Sequence, residues 1–146
     1  MEVTDAPVYL DANALIEAVE GADAALMMTI GALRKAGREI VTSELSLAEV
    51  LVKPIQEAND GLCRLYERLI VESGLVTPCP VDRDILRLCA QTRARDGGKL
   101  PDSIHVATAL RAGCTVIVSS DKRLRLPDGL RRIETAAIGI LANASS

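Results

Sequence analysis

Phenylalanine and tryptophan do not occur in this 146-residue chain, and Tyr9 and Tyr66 are its only aromatic residues. A core without aromatic bulk has to be built from Leu, Ile, Val and Ala. A platform of aromatic rings on which bases stack, the device of many single-strand binders, is excluded. Histidine occurs once, as His105, and the four cysteines (Cys63, Cys79, Cys89 and Cys114) show no C-x-x-C spacing, so no zinc framework is written here. Each cysteine stands among apolar neighbours and reads as a buried thiol of a reducing compartment. An excess of basic charge is also missing: the formal net charge is −3. A nucleic-acid ligand would therefore need a local basic patch or bound cations. No apolar run reaches the roughly 20 residues of a membrane helix. Met1 to Asp5 lacks the basic-then-apolar layout of a signal peptide. The expectation is a soluble cytoplasmic protein without a membrane partner. Gly97-Gly98-Lys99 lacks the preceding glycine and following hydroxyl of a P-loop, and neither G-x-G-x-x-G nor G-x-S-x-G appears.

What is present is an ordinary globular balance, 49% hydrophobic and 25% charged. No repeat or linker interrupts it, so residues 1–146 read as a single domain. Its organising stretch is Val8-Tyr9-Leu10-Asp11-Ala12-Asn13-Ala14-Leu15-Ile16. A continuous apolar run suits a strand buried on both faces, and the residues after it take up helical periodicity. Asp23 can cap a second helix to about Ala36, and Gly37 suits its end. Ile40-Val41-Thr42 reads as a strand, and Ser43 or Ser46 as the cap of a helix that Pro54 breaks. A longer helix is expected over 55–73, and a third strand at Leu75-Val76-Thr77. Asp82 opens another helix, to about Arg95, and Pro101 starts one ended by Gly113. Thr115-Val116-Ile117-Val118 is the most strand-like run, ending at Ser119-Ser120-Asp121. A basic loop follows (Lys122, Arg123, Arg125, Arg131, Arg132), with a fifth strand near Ile133. Strands alternating with helices imply an α/β sandwich around a mostly parallel sheet of four to five strands.

Ligands of such sheets bind at the carboxyl ends of the strands. Asp11 and Asp121 both follow strands, Glu49 lies in the helix after the second strand, and Asp102 lies in the first turn of a helix. Singly, each is explained by capping, a turn or a solvated helix face. Together they make a site for a hard divalent cation, which prefers oxygen ligands and can polarise a phosphoryl oxygen. A lone histidine on an apolar helix, as His105 is, reads as a packed core residue rather than a ligand.

The segments Val-Tyr-Leu-Asp-Ala-Asn-Ala-Leu, Thr-Ser-Glu-Leu-Ser-Leu-Ala-Glu-Val-Leu, Leu-Pro-Asp-Ser-Ile-His-Val-Ala-Thr-Ala-Leu and Val-Ile-Val-Ser-Ser-Asp occur in this order between residues 7 and 135. They resemble the successive motifs of PIN-domain ribonucleases, and are especially similar to VapC-type toxins of toxin–antitoxin pairs. The resemblance implies a PIN-like three-layer sandwich and an endoribonuclease dependent on Mg²⁺ or Mn²⁺. It places Asp11, Glu49, Asp102 and Asp121 as the catalytic, metal-holding quartet, with Asn13 and Ser119 supporting them. Glu44 is a nearby distractor, and Ser120 stands where many members have Asn. Lys122 and Arg123, directly after Asp121, are the expected RNA contacts, with Lys99 and Arg125 flanking the same motifs. The likeness further implies an RNA substrate, a homodimer and a cognate antitoxin, for which Leu26-Met27-Met28 with Ile30 could supply an apolar contact. A PIN-like RNA-binding scaffold without catalysis is the alternative, opposed by the presence of all four acidic positions. A phosphatase of the haloacid dehalogenase type also puts Asp after its first strand, but needs a second aspartate where this chain has Asn13.

Overall fold

A computed structural model describes residues 6–22 and 24–144, with side chains described to Leu141. Five parallel strands form one sheet in the order β3-β2-β1-β4-β5: β1 (Val8–Leu10), β2 (Ile40–Ser43), β3 (Thr77–Cys79), β4 (Val116–Val118) and β5 (Arg131–Ile133). The strand that opens the chain is thus the central one. Seven α-helices accompany the sheet among the described residues: α1 (Ala12–Glu20), α2 (Ala25–Lys35), α3 (Glu44–Gln56), α4 (Asp60–Glu67), α5 (Arg83–Asp96), α6 (Leu100–Arg111) and α7 (Gly139–Ala144).

Alternation along β1 divides the core into layers. Val8 and Leu10 point to one face, where they meet Leu15 of α1, Ile30 and Leu33 of α2, Val50 of α3 and Tyr66 of α4. Tyr9 points to the other, against Val106 and Ala109 of α6 and Ile117 of β4. A third cluster joins α5 to α6 through Ile85, Cys89, Ile104 and Ala107. With every residue of β1 fully buried, the apolar run has the two-sided burial that a central parallel strand requires. Leu26 and Ile30 belong to this core rather than to a contact surface, while Met28 stands 71% exposed.

Several elements start where capping chemistry puts them. Asp11 Oδ1 accepts the Ala14 N–H, Ser43 Oγ accepts that of Leu45, and Asp82 Oδ1 that of Ile85, so α1, α3 and α5 each begin on a side-chain acceptor. Ser46 is not a cap; its hydroxyl lies 2.6 Å from Thr42 Oγ1. The Asp23 cap lies outside the described residues, as does the segment Met1 to Asp5.

Other boundaries differ from expectation. Pro54 stays inside α3, because a proline in the last turn removes a single helical hydrogen bond; the helix ends at Gln56, capped by Glu57, with Ala58 at a positive φ of 52°. The expected helix over 55–73 is α4 continued by a wider π-helical turn at Arg68–Glu72, in which Ser73 N–H bonds the Arg68 carbonyl. The third strand lies two residues further on than its apolar residues suggest, and includes Pro78; β3 is an edge strand, where a missing N–H is tolerated. Arg131 and Arg132 are in β5, not in a loop. Cys89 and Cys114 are buried, but Cys63 and Cys79 are only half-buried.

Candidate active site

The helices that follow β1 and β2 start at once, so their first turns crowd the carboxyl edge of the sheet. Asp11 is the residue between β1 and α1. Its backbone N–H bonds the Val118 carbonyl at 3.3 Å and its side chain caps α1 at 2.9 Å, leaving it only 8% exposed. Burial pushes its carboxyl above the usual range and the charge of Glu49 adds to this, against the pull of a Ser119 hydrogen bond, the Ala14 N–H and His105.

Ser119, fully buried, continues β4 beside Asp11. Its hydroxyl helps hold the Asp11 carboxyl down and accepts the Asp121 N–H at 3.1 Å. One side chain therefore braces two carboxylate positions. Asp121 Oδ1 accepts the Arg123 N–H at 2.9 Å, and the Arg123 guanidinium approaches it at 3.6 Å.

Asp102 is the third residue of α6, a helix whose first turn carries Pro101 and whose N-cap, Lys99, makes no side-chain cap bond. Burial raises its carboxyl, and the charges of Asp121 and Glu49 raise it further, opposed by His105 and Lys99. Glu49, half-buried on α3, holds His105 Nε2 at 2.6 Å through Oε1. Asp102 feels Asp121 and Glu49, and Asp11 feels Glu49: the four residues form one electrostatically coupled group at the carboxyl edge. Asn13 is exposed on the first turn of α1. Lys122 and Arg123 are exposed beside Asp121, and Arg123, Arg125 and Lys99 line a cleft with Asp102 and Asp121. Arg125 is also a structural brace, donating to the Asp96 carbonyl at 2.7 Å.

Asp11 and Asp102, raised by burial and by neighbouring carboxylates, make with Glu49 and Asp121 a hard, anionic oxygen donor set whose repulsion a divalent cation would relieve, and in that respect the residues fit Mg²⁺ or Mn²⁺. Among the described residues, no three His, Cys, Asp or Glu side chains close on one point at ligand distances.

Two residues of this region escape a reading of motifs. His105 is buried, as a packed core histidine would be, yet bonds both Glu49 and the Tyr9 hydroxyl. The available signal was its position three residues after Asp102, on the same side of the helix. Tyr9, two residues before Asp11, gave none.

Comparison with known proteins brings one match and one negative. The PIN domain family profile matches residues 8–130. No curated protein matches the chain.

Proposed function

The chain belongs to the PIN-domain family, a family of nucleases, and from that premise we propose that it is a divalent-cation-dependent endoribonuclease, the toxin of a toxin–antitoxin pair. The observation that carries the reading is the placement of acidic residues at the carboxyl edge: Asp11 follows β1 beside β4, Asp102 and Asp121 line one cleft, and the charge of Glu49 bears on both Asp11 and Asp102.

In this reading the four carboxylates hold Mg²⁺ or Mn²⁺. A cation bound there supplies Lewis acidity toward a phosphodiester and acidifies water for in-line attack. The chain's own residues do the rest. Ser119 keeps Asp11 and Asp121 in register, and Asp11 stays fixed by its cap on α1. An unshielded group of carboxylates repels RNA; Lys122 and Arg123, exposed at the rim of an acidic protein, offset that repulsion at the backbone phosphates. Asn13 and Ser119 are the polar residues that support the quartet.

The toxin assignment rests on the succession of four motifs over residues 7–135, and brings with it a structured RNA target, a homodimer, an antitoxin segment that covers the site, and a cytoplasmic setting. No helix among the described residues is long and apolar enough to cross a membrane.

The experiment is cleavage of cellular RNA by the purified protein with Mn²⁺ and with EDTA. Cleavage is expected with the cation only, and Asp11→Asn is expected to lose it by several orders of magnitude. Sequencing the new RNA ends names the target. Binding without cleavage in Mn²⁺ would favour the scaffold alternative, and EDTA-resistant cleavage would remove the cation from the mechanism.

A further inference from the structure

One buried hydrogen-bond chain joins three of the elements that carry the carboxylates. Tyr9 is on β1, two residues before Asp11; His105 is on α6, one turn after Asp102; Glu49 is on α3. Tyr9 Oη lies 2.6 Å from His105 Nδ1, and His105 Nε2 lies 2.6 Å from Glu49 Oε1. Tyr9 and His105 are 0% and 4% exposed, and their rings meet edge to face, with centroids 5.7 Å apart. The chain crosses the sheet edge, since α3 packs on the Val8 and Leu10 face and α6 on the Tyr9 face.

Counting protons assigns a direction to both bonds. An ionised carboxylate only accepts, so the proton between His105 and Glu49 sits on Nε2. The Tyr9 hydroxyl has no other hydrogen-bond partner among the described residues, and no buried side-chain polar atom there is left unsatisfied. Nδ1 is thus the one acceptor within reach of the hydroxyl proton. With Nδ1 bare, the ring proton sits on Nε2, where the 2.6 Å contact makes it a donor to Glu49.

We propose that Tyr9 and His105 are positioning residues: the Tyr9 hydroxyl fixes the tautomer of His105, and Nε2–H holds the Glu49 carboxylate by one oxygen. The second oxygen takes no hydrogen bond among the described residues and is free for a cation. The restraint has a purpose, because Asp11 and Asp102 repel Glu49 and would otherwise drive a flexible side chain on a partly exposed helix away from the site. Groups that orient ligating carboxylates from behind commonly change cation affinity 10- to 100-fold when removed. This inference rests on the reading of Glu49 as a cation-holding residue.

Because His105 is the only histidine, long-range ¹⁵N–¹H correlation of the labelled protein reports its ring alone. The cation-free wild type is expected to show a protonated Nε2 and a bare Nδ1, and Tyr9→Phe a mixture of tautomers. In parallel, Mn²⁺ uptake is followed by loss of the free-ion paramagnetic resonance signal. Tyr9→Phe and His105→Leu are expected to weaken uptake about 10-fold or more. His105→Gln, whose amide can replace the Nε2–H donor, is expected to recover most of it, a recovery that a mere packing role does not predict. Should His105→Leu fail to fold, Tyr9→Phe, which lacks a single oxygen, carries the comparison. An Nδ1–H or mixed wild-type ring overturns the proposal, as does a variant lacking the donor that binds Mn²⁺ like the wild type. Absence of uptake by the wild type would instead overturn the cation reading; the tautomer spectra of wild type and Tyr9→Phe then decide the hydrogen-bond chain alone.

Discussion

The backbone N–H of Asp11 bonds the carbonyl of Val118 at 3.3 Å, so the last rung between β1 and β4 is made by a residue of the candidate site. The register Leu10 to Val118 sets Asp11 beside Ser119 and leaves Asp121 two residues further along. Strand pairing, the cap of α1 and the carboxylate spacing are thus one piece of geometry, and changes here act on fold and site together.

Ser119→Ala tests that linkage. It removes the acceptor of the Asp121 N–H, and a hydroxyl that helps hold the Asp11 carboxyl down, in a fully buried position. A buried polar group left unpaired costs about 1–3 kcal/mol. Urea unfolding is expected to show a loss of that size with an unchanged slope on denaturant. A variant as stable as the wild type would mean that water replaces the hydroxyl at both sites.

The stability of the cation-free protein is expected to fall as pH rises. Asp11 and Asp102 bind their protons more tightly in the folded chain than in the unfolded one. Their contribution is complete below the unfolded value of 3.8 and is lost as pH climbs through the raised folded values. Asp82 has the opposite sign: held low by the Ile85 N–H and by Arg111, it adds stability above 3.8 and loses it only below. The two windows do not overlap. Unfolding midpoints measured in EDTA from about pH 4 to about pH 7 should decline, and Asp11→Asn should flatten the decline. A rise with pH in this range contradicts the coupled group.

Asp121→Asn separates a cation site from a turn. Asparagine keeps the Oδ1 that accepts the Arg123 N–H at 2.9 Å and removes the charge that raises Asp102. Without a cation the variant is expected to be neutral or more stable. With millimolar affinity and about ten-fold excess, Mn²⁺ stabilises the wild type by about 1.4 kcal/mol, or a few degrees in Tm. The variant should lose most of that increment. Thermal melts of both proteins in EDTA and in Mn²⁺ make the comparison, and a wild type indifferent to Mn²⁺ would show that the carboxylates do not act together on a cation.

Lys122 and Arg123 are exposed next to Asp121, and the Arg123 guanidinium is held only loosely, at 3.6 Å. Replacing both with Ala is expected to weaken RNA binding similarly across sequences. The slope of log K on log salt should fall by about 0.7 for each lost phosphate contact on single strands. An unchanged slope would leave them as a solvated face.

Local chemistry made much of this legible from residues alone. Asp11, Ser43 and Asp82 cap helices because a short acceptor side chain meets the free N–H groups of a first turn, and that depends on three or four neighbouring residues. The apolar runs ending at Leu10 and Val118 identify parallel strands, and parallel strands deliver Asp11 and Asp121 to the same edge. Sequence by itself therefore determined the alternating α/β architecture, the two-sided burial of β1 and the shared edge of the sheet for Asp11 and Asp121.

Tertiary structure decided the rest, because the deciding partners are far apart in the chain. Pro54 remains helical and Pro78 pairs in a strand because of where each sits, in a last turn and on a sheet edge. Cys79 is half-buried because it is on that same edge. Tyr9, His105 and Glu49 meet across separations of 96 and 56 residues, which no local pattern encodes. Burial then gives those bonds their weight: in a core that excludes water, each donor needs an acceptor, and the fold alone determines which one lies within reach.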